Sequence, residues 1–240
     1  MILSFPDPAN ICPPLKRFVL PIFTEFNLKG VSEYLEEPVV RIDAPLLKKL
    51  DIAFNQIVFD TPLLVQFISR TSALKAPEAA RVILKDCAAM IDLSSRASDY
   101  EDLSVEILCK NSDWQVPSLE QVCTWCLPPF SSLEDLYISE SPYLQPDWQD
   151  NIENALRLEL FPPFITAVKN IYLFETFTPH IMPSLQELVG ERTTEVLPTL
   201  QNIYLGRLET SGPVRKPFSK FVAKRQASHP IAVSRWDSER

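Results

Sequence analysis

The sequence predicts an α/β fold: a leucine-rich-repeat-like solenoid with a parallel sheet on its concave side and helices on its convex side. Three observations carry this. Seven short segments share one spacing of apolar residues: Phe23-x-x-Phe26-x-Leu28, Leu47-x-x-Leu50-x-Ile52, Ala79-x-x-Val82-x-Leu84, Asp102-x-x-Val105-x-Ile107, Leu133-x-x-Leu136-x-Ile138, Val168-x-x-Ile171-x-Leu173 and Leu200-x-x-Ile203-x-Leu205. Their first residues lie 24, 32, 23, 31, 35 and 32 positions apart, which leaves room in each unit for a strand, two turns and a helix. Prolines punctuate the units, with 22 prolines against only 4 glycines. Pro45 precedes Leu47, Pro128-Pro129 precede Leu133, Pro162-Pro163 precede Val168 and Pro198 precedes Leu200. A proline ends the helix before it and presets the turn that feeds the next strand.

Taken in order, residues up to about 20 are proline-rich and read as a strand or loop that starts the stack. In each segment the last two apolar positions flank a mostly polar residue, the alternation of a strand buried on one face. Leu47 to Asn55 fits the whole LxxLxLxxN template; the segments at Ala79 and Asp102 fit it least well. Between Asp60 and Ala97, Thr61 to Ser72 has the pattern of a helix and Ala88 to Ser95 that of an extra strand. Further helices are expected from Pro117 to Cys126, from about Pro146 to Leu160, and from Pro179 to Val189, the last ending at Gly190. A final helix from Pro217 to Ser228 and a short strand at Ile231-Ala232-Val233 close the chain. Residues 1–212 are then the solenoid and 213–240 a C-terminal capping helix and strand of the same domain, with Phe218, Phe221 and Val222 on one helical face.

Composition narrows the function. Nucleotide-binding loops need glycine where backbone meets phosphate, and neither GxGxxG nor GxxxxGK[ST] occurs. A formal net charge of −8 disfavours a general nucleic-acid binder. From Pro213 onward seven Lys and Arg face two acids, a basic end that suits docking on an acidic body. No apolar run approaches the roughly 20 residues of a membrane span, and the N-terminus lacks the pattern of a signal peptide. Five cysteines at irregular spacing argue for a reducing compartment, cytoplasmic or nuclear.

Cys123-Thr-Trp-Cys126 is the one motif suggestive of redox or zinc chemistry. Leu119, Val122, Cys123 and Cys126 nevertheless fall at the i, i+3, i+4, i+7 positions of a core-facing helix stripe, and only Cys87 and Cys109 are near in sequence as further ligands. His180 and His229 occupy positions that suit a helix start and a turn. Acid pairs such as Glu36-Glu37 point apart on any regular element. No catalytic constellation, cofactor or metal site is expected.

Several runs resemble a known family. Thr166 to Leu173, Leu185 to Gly190, Ser228 to Trp236, and Val58 through Thr71 are similar to the leucine-rich-repeat region of large fungal families of F-box-like proteins. The resemblance implies a surface that recruits a target to a ubiquitin ligase, with the ligase adaptor a partner only if an F-box lies upstream. This chain's start shows no F-box pattern, which suggests a truncated relative or a start further upstream.

The function expected is therefore non-catalytic protein recognition by a monomer, through an unidentified protein partner on the concave face, with no nucleic acid and no membrane. The alternatives are an enzyme in an irregular α/β domain, or a truncated family remnant without a selected partner. Residues between the two buried positions of each strand should form the binding column Asn27, Asp51, Ile83, Glu106, Tyr137, Tyr172 and Tyr204. The strongest candidates are the tyrosines Tyr137, Tyr172 and Tyr204, flanked one row over by Asp135, Asn170 and Asn202.

Overall fold

A turn that recurs along the chain sets the entry to several strands. The Phe23 N–H donates to Leu20 C=O (3.2 Å), Leu47 to Ala44 (3.1 Å), Leu133 to Phe130 (3.1 Å) and Leu200 to Leu197 (3.1 Å). Pro21, Pro45 and Pro198 occupy the second position of three of these turns, where the fixed φ of proline fits without strain. The apolar residue that ends each of the last three turns, Leu47, Leu133 or Leu200, is buried. Leu197 alone among the described non-glycine residues has a positive φ (53°), and its side chain is fully buried. The structure is a computed structural model. It describes residues 17–56, 61–74, 76–85, 87–95, 102–109, 114–127, 130–140, 167–174, 197–206, 223 and 230–236.

The strands are β1 (Phe18–Val19), β2 (Glu25–Val31), β3 (Ile42–Asp43), β4 (Lys49–Gln56), β5 (Ala79–Lys85), β6 (Ala88–Ser94), β7 (Leu103–Leu108), β8 (Asp135–Glu140), β9 (Asn170–Leu173), β10 (Asn202–Gly206) and β11 (Ala232–Trp236). Three helices are described, α1 (Ser32–Arg41), α2 (Pro62–Arg70) and α3 (Gln115–Gln121), the last running on into a π-helical turn at Val122–Cys126. β1 and β3 form a separate parallel pair. The other nine strands make one sheet in the order β11-β10-β9-β8-β5-β6-β7-β4-β2.

This sheet overturns the solenoid. The seven repeated segments all supply strands, but the sheet is mixed, because β6 pairs antiparallel with both β5 and β7. The order is not sequential either: β4 pairs with β7, and β5 with β8. The physical reason lies in the 23-residue step from Ala79 to Asp102. That length matches a repeat unit, yet it holds a second strand rather than a helix. Only Asp86 and Cys87 separate β5 from β6, and a two-residue connection can join only antiparallel strands. The chain therefore passes from β4 through α2 to β5, leaving a gap that β6 and β7 return to fill. The boundary expected at 212/213 lies outside the described residues, as do the helices expected at Pro146–Leu160 and Pro179–Val189. The capping helix also lies outside them, apart from the exposed, helical Ala223.

One face of the sheet is the core. Leu50, Ile52 and Phe54 of β4, Ala80, Val82 and Leu84 of β5, Ala89, Ile91 and Leu93 of β6, and Leu103, Val105 and Ile107 of β7 cluster with Leu136, Ile138, Ile171, Leu173, Ile203 and Leu205. Their period of two is that of a pleated strand. Leu35 and Val39 of α1, Leu64, Phe67 and Ile68 of α2, and Val116 and Leu119 of α3 join the same cluster, with α1 against β2 and α3 against β6 and β7, so these helices lie on this face. Fully burying each Val, Leu, Ile or Phe of this set contributes roughly 1.5–3 kcal/mol. Val122 and Cys123 complete the stripe of α3, which places the first thiol of the CxxC sequence in the core. Among the described residues no helix is long and apolar enough to cross a membrane.

α1 and α2 cap one another. Thr61, before α2, supplies no side-chain cap. The Glu36 carboxylate of α1 takes that place, accepting from the Leu63 N–H (3.0 Å) and the Leu64 N–H (2.9 Å). At the other end Arg70 of α2 donates to the carbonyls of Val39 and Ile42, both at 2.6 Å, where α1 runs out. Each helix thus satisfies end groups that the other would leave bare. Replacing Glu36→Ala is expected to destabilise the fold by about 1–2 kcal/mol, seen as a lower urea midpoint at unchanged slope. Glu36→Gln, which keeps one acceptor oxygen, should recover part of the loss. An unchanged midpoint in the alanine variant would show that water serves those amides equally well.

Candidate recognition surface

On the face away from the helices, pairing places one residue of each strand level with its neighbours. The row runs Asn27, Asp51, Ser104, Asp92, Arg81, Tyr137, Tyr172, Tyr204, Ser234. It adds Asp92 of β6 and Ser234 of β11 to the column read from the sequence, and differs from it at two places. Ile83 lies level with Ser139, and Glu106 with Ala53, so both sit one row higher than expected. Apolar alternation in β5 and β7 runs one pair longer than the repeat template, through Ala80 and Leu103. A slip of two residues keeps the same face and is invisible to the pattern, whereas a slip of one would flip it.

The three tyrosines meet as a continuous stack. Tyr137 and Tyr172 have ring centroids 4.2 Å apart with planes 10° from parallel, and Tyr172 and Tyr204 are 4.6 Å apart at 9°. Adjacent strands are about 4.8 Å apart, so identical side chains in register arrive at stacking distance without adjustment. Each such contact contributes roughly 0.5–1.5 kcal/mol beyond the area it buries. The guanidinium of Arg81, from β5, lies over the Tyr137 ring at 5.9 Å.

Trp236 braces the stack from β11. Its indole is 5.3 Å from Tyr172 and 4.9 Å from Phe174, edge to face in both cases, and 5.8 Å from Tyr137. Trp236 is level with Gly206, which follows the last rung shared by β10 and β9, Leu205 with Leu173. Glycine at 206 leaves that place in the row empty, and the indole reaches across it. Trp236, Arg81, Asp92, Ser104 and Ser234 are the members of the surface that the repeat pattern did not reveal; the glycine opposite an aromatic was the one legible sign of the first.

One row below, Asp135, Asn170 and Asn202 form a second ladder. Asn170 Nδ2 donates to Asp135 Oδ1 (2.6 Å), and Asn202 Nδ2 donates to Asn170 Oδ1 (2.8 Å). Asp135 is buried, while the two amides and the three tyrosines are half-buried. Lys169 pairs with Glu134 at 2.6 Å beside this ladder. The far half of the surface is ionic. Ser104 Oγ donates to Asp92 Oδ1 (2.6 Å), Lys85 meets Glu106 at 2.7 Å, and Lys49 meets Asp51 at 3.4 Å. Among the described residues no three His, Cys, Asp or Glu side chains converge as metal ligands. His180 and His229 lie outside the described residues.

The chain matches no protein-family model, no curated protein and no solved structure.

The phenol of Tyr172 is held well above its ordinary range. Burial is the largest cause, followed by the negative field of Asp135 and then by Tyr137 and Tyr204 on either side. A raised folded-state value means that above about pH 10 the unfolded chain has released a proton the folded chain still holds. The contribution of Tyr172 to stability is therefore complete below pH 10 and falls as the pH rises toward its folded-state value. Denaturant midpoints measured from pH 8 upward should drop with a steepness that Tyr172→Phe reduces, and a tyrosinate absorbance titration should show a group ionising after the rest. An identical pH profile in wild type and Tyr172→Phe would remove Tyr172 as the cause.

Proposed function

We propose that this protein is a non-catalytic recognition module that holds a partner protein on the face carrying Tyr137, Tyr172 and Tyr204. The observation that supports this reading is the stack itself: three half-exposed tyrosines held in place by one another, by Trp236 and by Arg81. Ordering flexible side chains costs about 0.5–1.5 kcal/mol each on association. Rings already fixed by stacking avoid much of that cost and offer hydroxyls and ring edges in one plane. The Asp135–Asn170–Asn202 ladder adds a fixed line of polar groups beside them. An odd number of cysteines supports a cytoplasmic or nuclear setting. The resemblance to F-box-like proteins supports a finer reading, in which the partner is a target presented to a ubiquitin ligase and the adaptor joins only where an F-box precedes this region.

The experiment compares what immobilised wild-type protein retains with what a Tyr137→Ala, Tyr172→Ala, Tyr204→Ala triple variant retains, after melting curves establish that both are folded. A component retained by the first and lost by the second is then purified, and its affinity for Tyr172→Ala alone measured. A loss of at least about 1–2 kcal/mol is expected, the range of a hot-spot aromatic. Binding that survives the triple substitution would place the partner on another surface. Co-purification of the ligase adaptor with an upstream-extended product, and not with this chain, would support the finer reading; its absence from both would end it.

A further inference from the structure

Both ladders on the tyrosine face stop at β10, yet the sheet continues for one more strand. β11 sets Ala232 level with Asn202 and Ser234 level with Tyr204, and both small residues are exposed. Trp236, one row higher, leans back toward β9 and β8. The last rung is thus a notch, with Ala232 and Ser234 as floor and the ends of the two ladders as its wall.

The chemistry of that wall is set by what lies behind it. A carboxylate can only accept, so Asp135 obliges Asn170 to turn its Nδ2 inward and its Oδ1 outward, and Asn202 must then do the same. The amide dipoles add in one direction, and Asn202 Oδ1 is their negative end, strengthened by the bonds behind it. Among the described residues nothing donates to this oxygen. Tyr204 stacks on Tyr172 with one ring face, and among the described residues no ring or cation meets the other. The outer ring face of Tyr204 and the negative end of a dipole chain, side by side above two exposed small residues, favour a planar cation that can stack and donate at once. The protein itself supplies such a group at the opposite end of the stack, where Arg81 lies over Tyr137. By strand alternation Arg235 projects to the other face of the sheet.

We propose that the notch over Ala232 and Ser234 binds a guanidinium group, an arginine side chain of the partner protein, stacked on Tyr204 and donating to Asn202 Oδ1. This rests on the tyrosine face being a recognition surface and names the partner residue that occupies its end. Lysine fits less well, since an ammonium cannot lie flat on the ring while donating sideways to the amide.

The test needs no partner. Nα-acetylarginine amide and Nα-acetyllysine amide are titrated into the full chain while NMR follows the Asn202 side-chain amide and the Tyr204 ring. The expected result is a saturable shift at both sites with the arginine compound, with a dissociation constant on the order of millimolar and binding about fivefold or more weaker for lysine. Ser234→Leu and Ala232→Leu, both at exposed positions, should each fill the notch and abolish the shift with the melting temperature retained. No saturable shift at Asn202 and Tyr204, equal response to lysine, or a response unchanged in both leucine variants would overturn the proposal. Loss of the arginine response alongside tyrosine-dependent partner binding would refute the guanidinium site alone. The reverse pattern would refute the recognition reading and leave the site standing.

Discussion

The rest of the structure depends on a backbone clasp at the entrance to the parallel strands. Two successive N–H groups of the incoming strand share one carbonyl of its neighbour: Lys48 and Lys49 on Thr24, Glu134 and Asp135 on Glu78, Lys169 and Asn170 on Glu134, Gln201 and Asn202 on Lys169. All eight bonds lie between 2.8 and 3.1 Å. A turn closing at Leu47, Leu133 or Leu200 delivers three of these segments to the clasp, and the clasp leaves only one register. Once register is fixed, side chains fall level without further choice: leucine and isoleucine into the core, tyrosine on tyrosine and amide on amide on the opposite face. The aromatic stack is a product of this alignment rather than its cause.

Much of this was legible in the residues. The paired runs Asn170-Ile171-Tyr172-Leu173 and Asn202-Ile203-Tyr204-Leu205 differ only at their contacts with strands beyond, so their strand character, direction and level pairing follow from likeness alone. The extra strand and the helix read between Asp60 and Ala97 correspond to β6 and α2. What escaped was sheet order. Period-two apolarity says that a strand has one buried face and says nothing of which strand lies beside it. The 23-residue interval at Ala79 was equally compatible with a repeat unit and with a hairpin, and only the two-residue connection at Asp86-Cys87 distinguishes them. The two-residue slip that moved Arg81 and Ser104 into the central row is of the same kind, since a longer apolar alternation tolerates it at no cost in burial.

The surface that results is polarised along the sheet. Its β2 side is built from exchangeable ion pairs such as Lys49–Asp51 and Lys85–Glu106, each partly solvated and each worth little individually. Its β11 side is built from stacked rings and amides whose positions are mutually fixed. Arg81 stands at the boundary, next to Asp92 across one strand and over Tyr137 across the other. The two halves therefore differ in kind: the ionic half presents charges that exchange with water, and the aromatic half presents rings and amides held in fixed relation.

The reversed strand β6 has a consequence for how the molecule comes together. In the centre of the sheet, partners are close in sequence, Val82 with Ile91 and Ile91 with Val105, whereas Leu50 must find Leu103 and Leu136 must find Ile171. The entropy of closing a loop grows with its length, and contacts between near neighbours are reached soonest. The meander of β5, β6 and β7 is therefore the cheapest part of the sheet to assemble, and the parallel wings extend from it strand by strand. On that order β11 is the last strand laid down on its side, so the end of the aromatic ladder is completed only after every strand beneath it is in place.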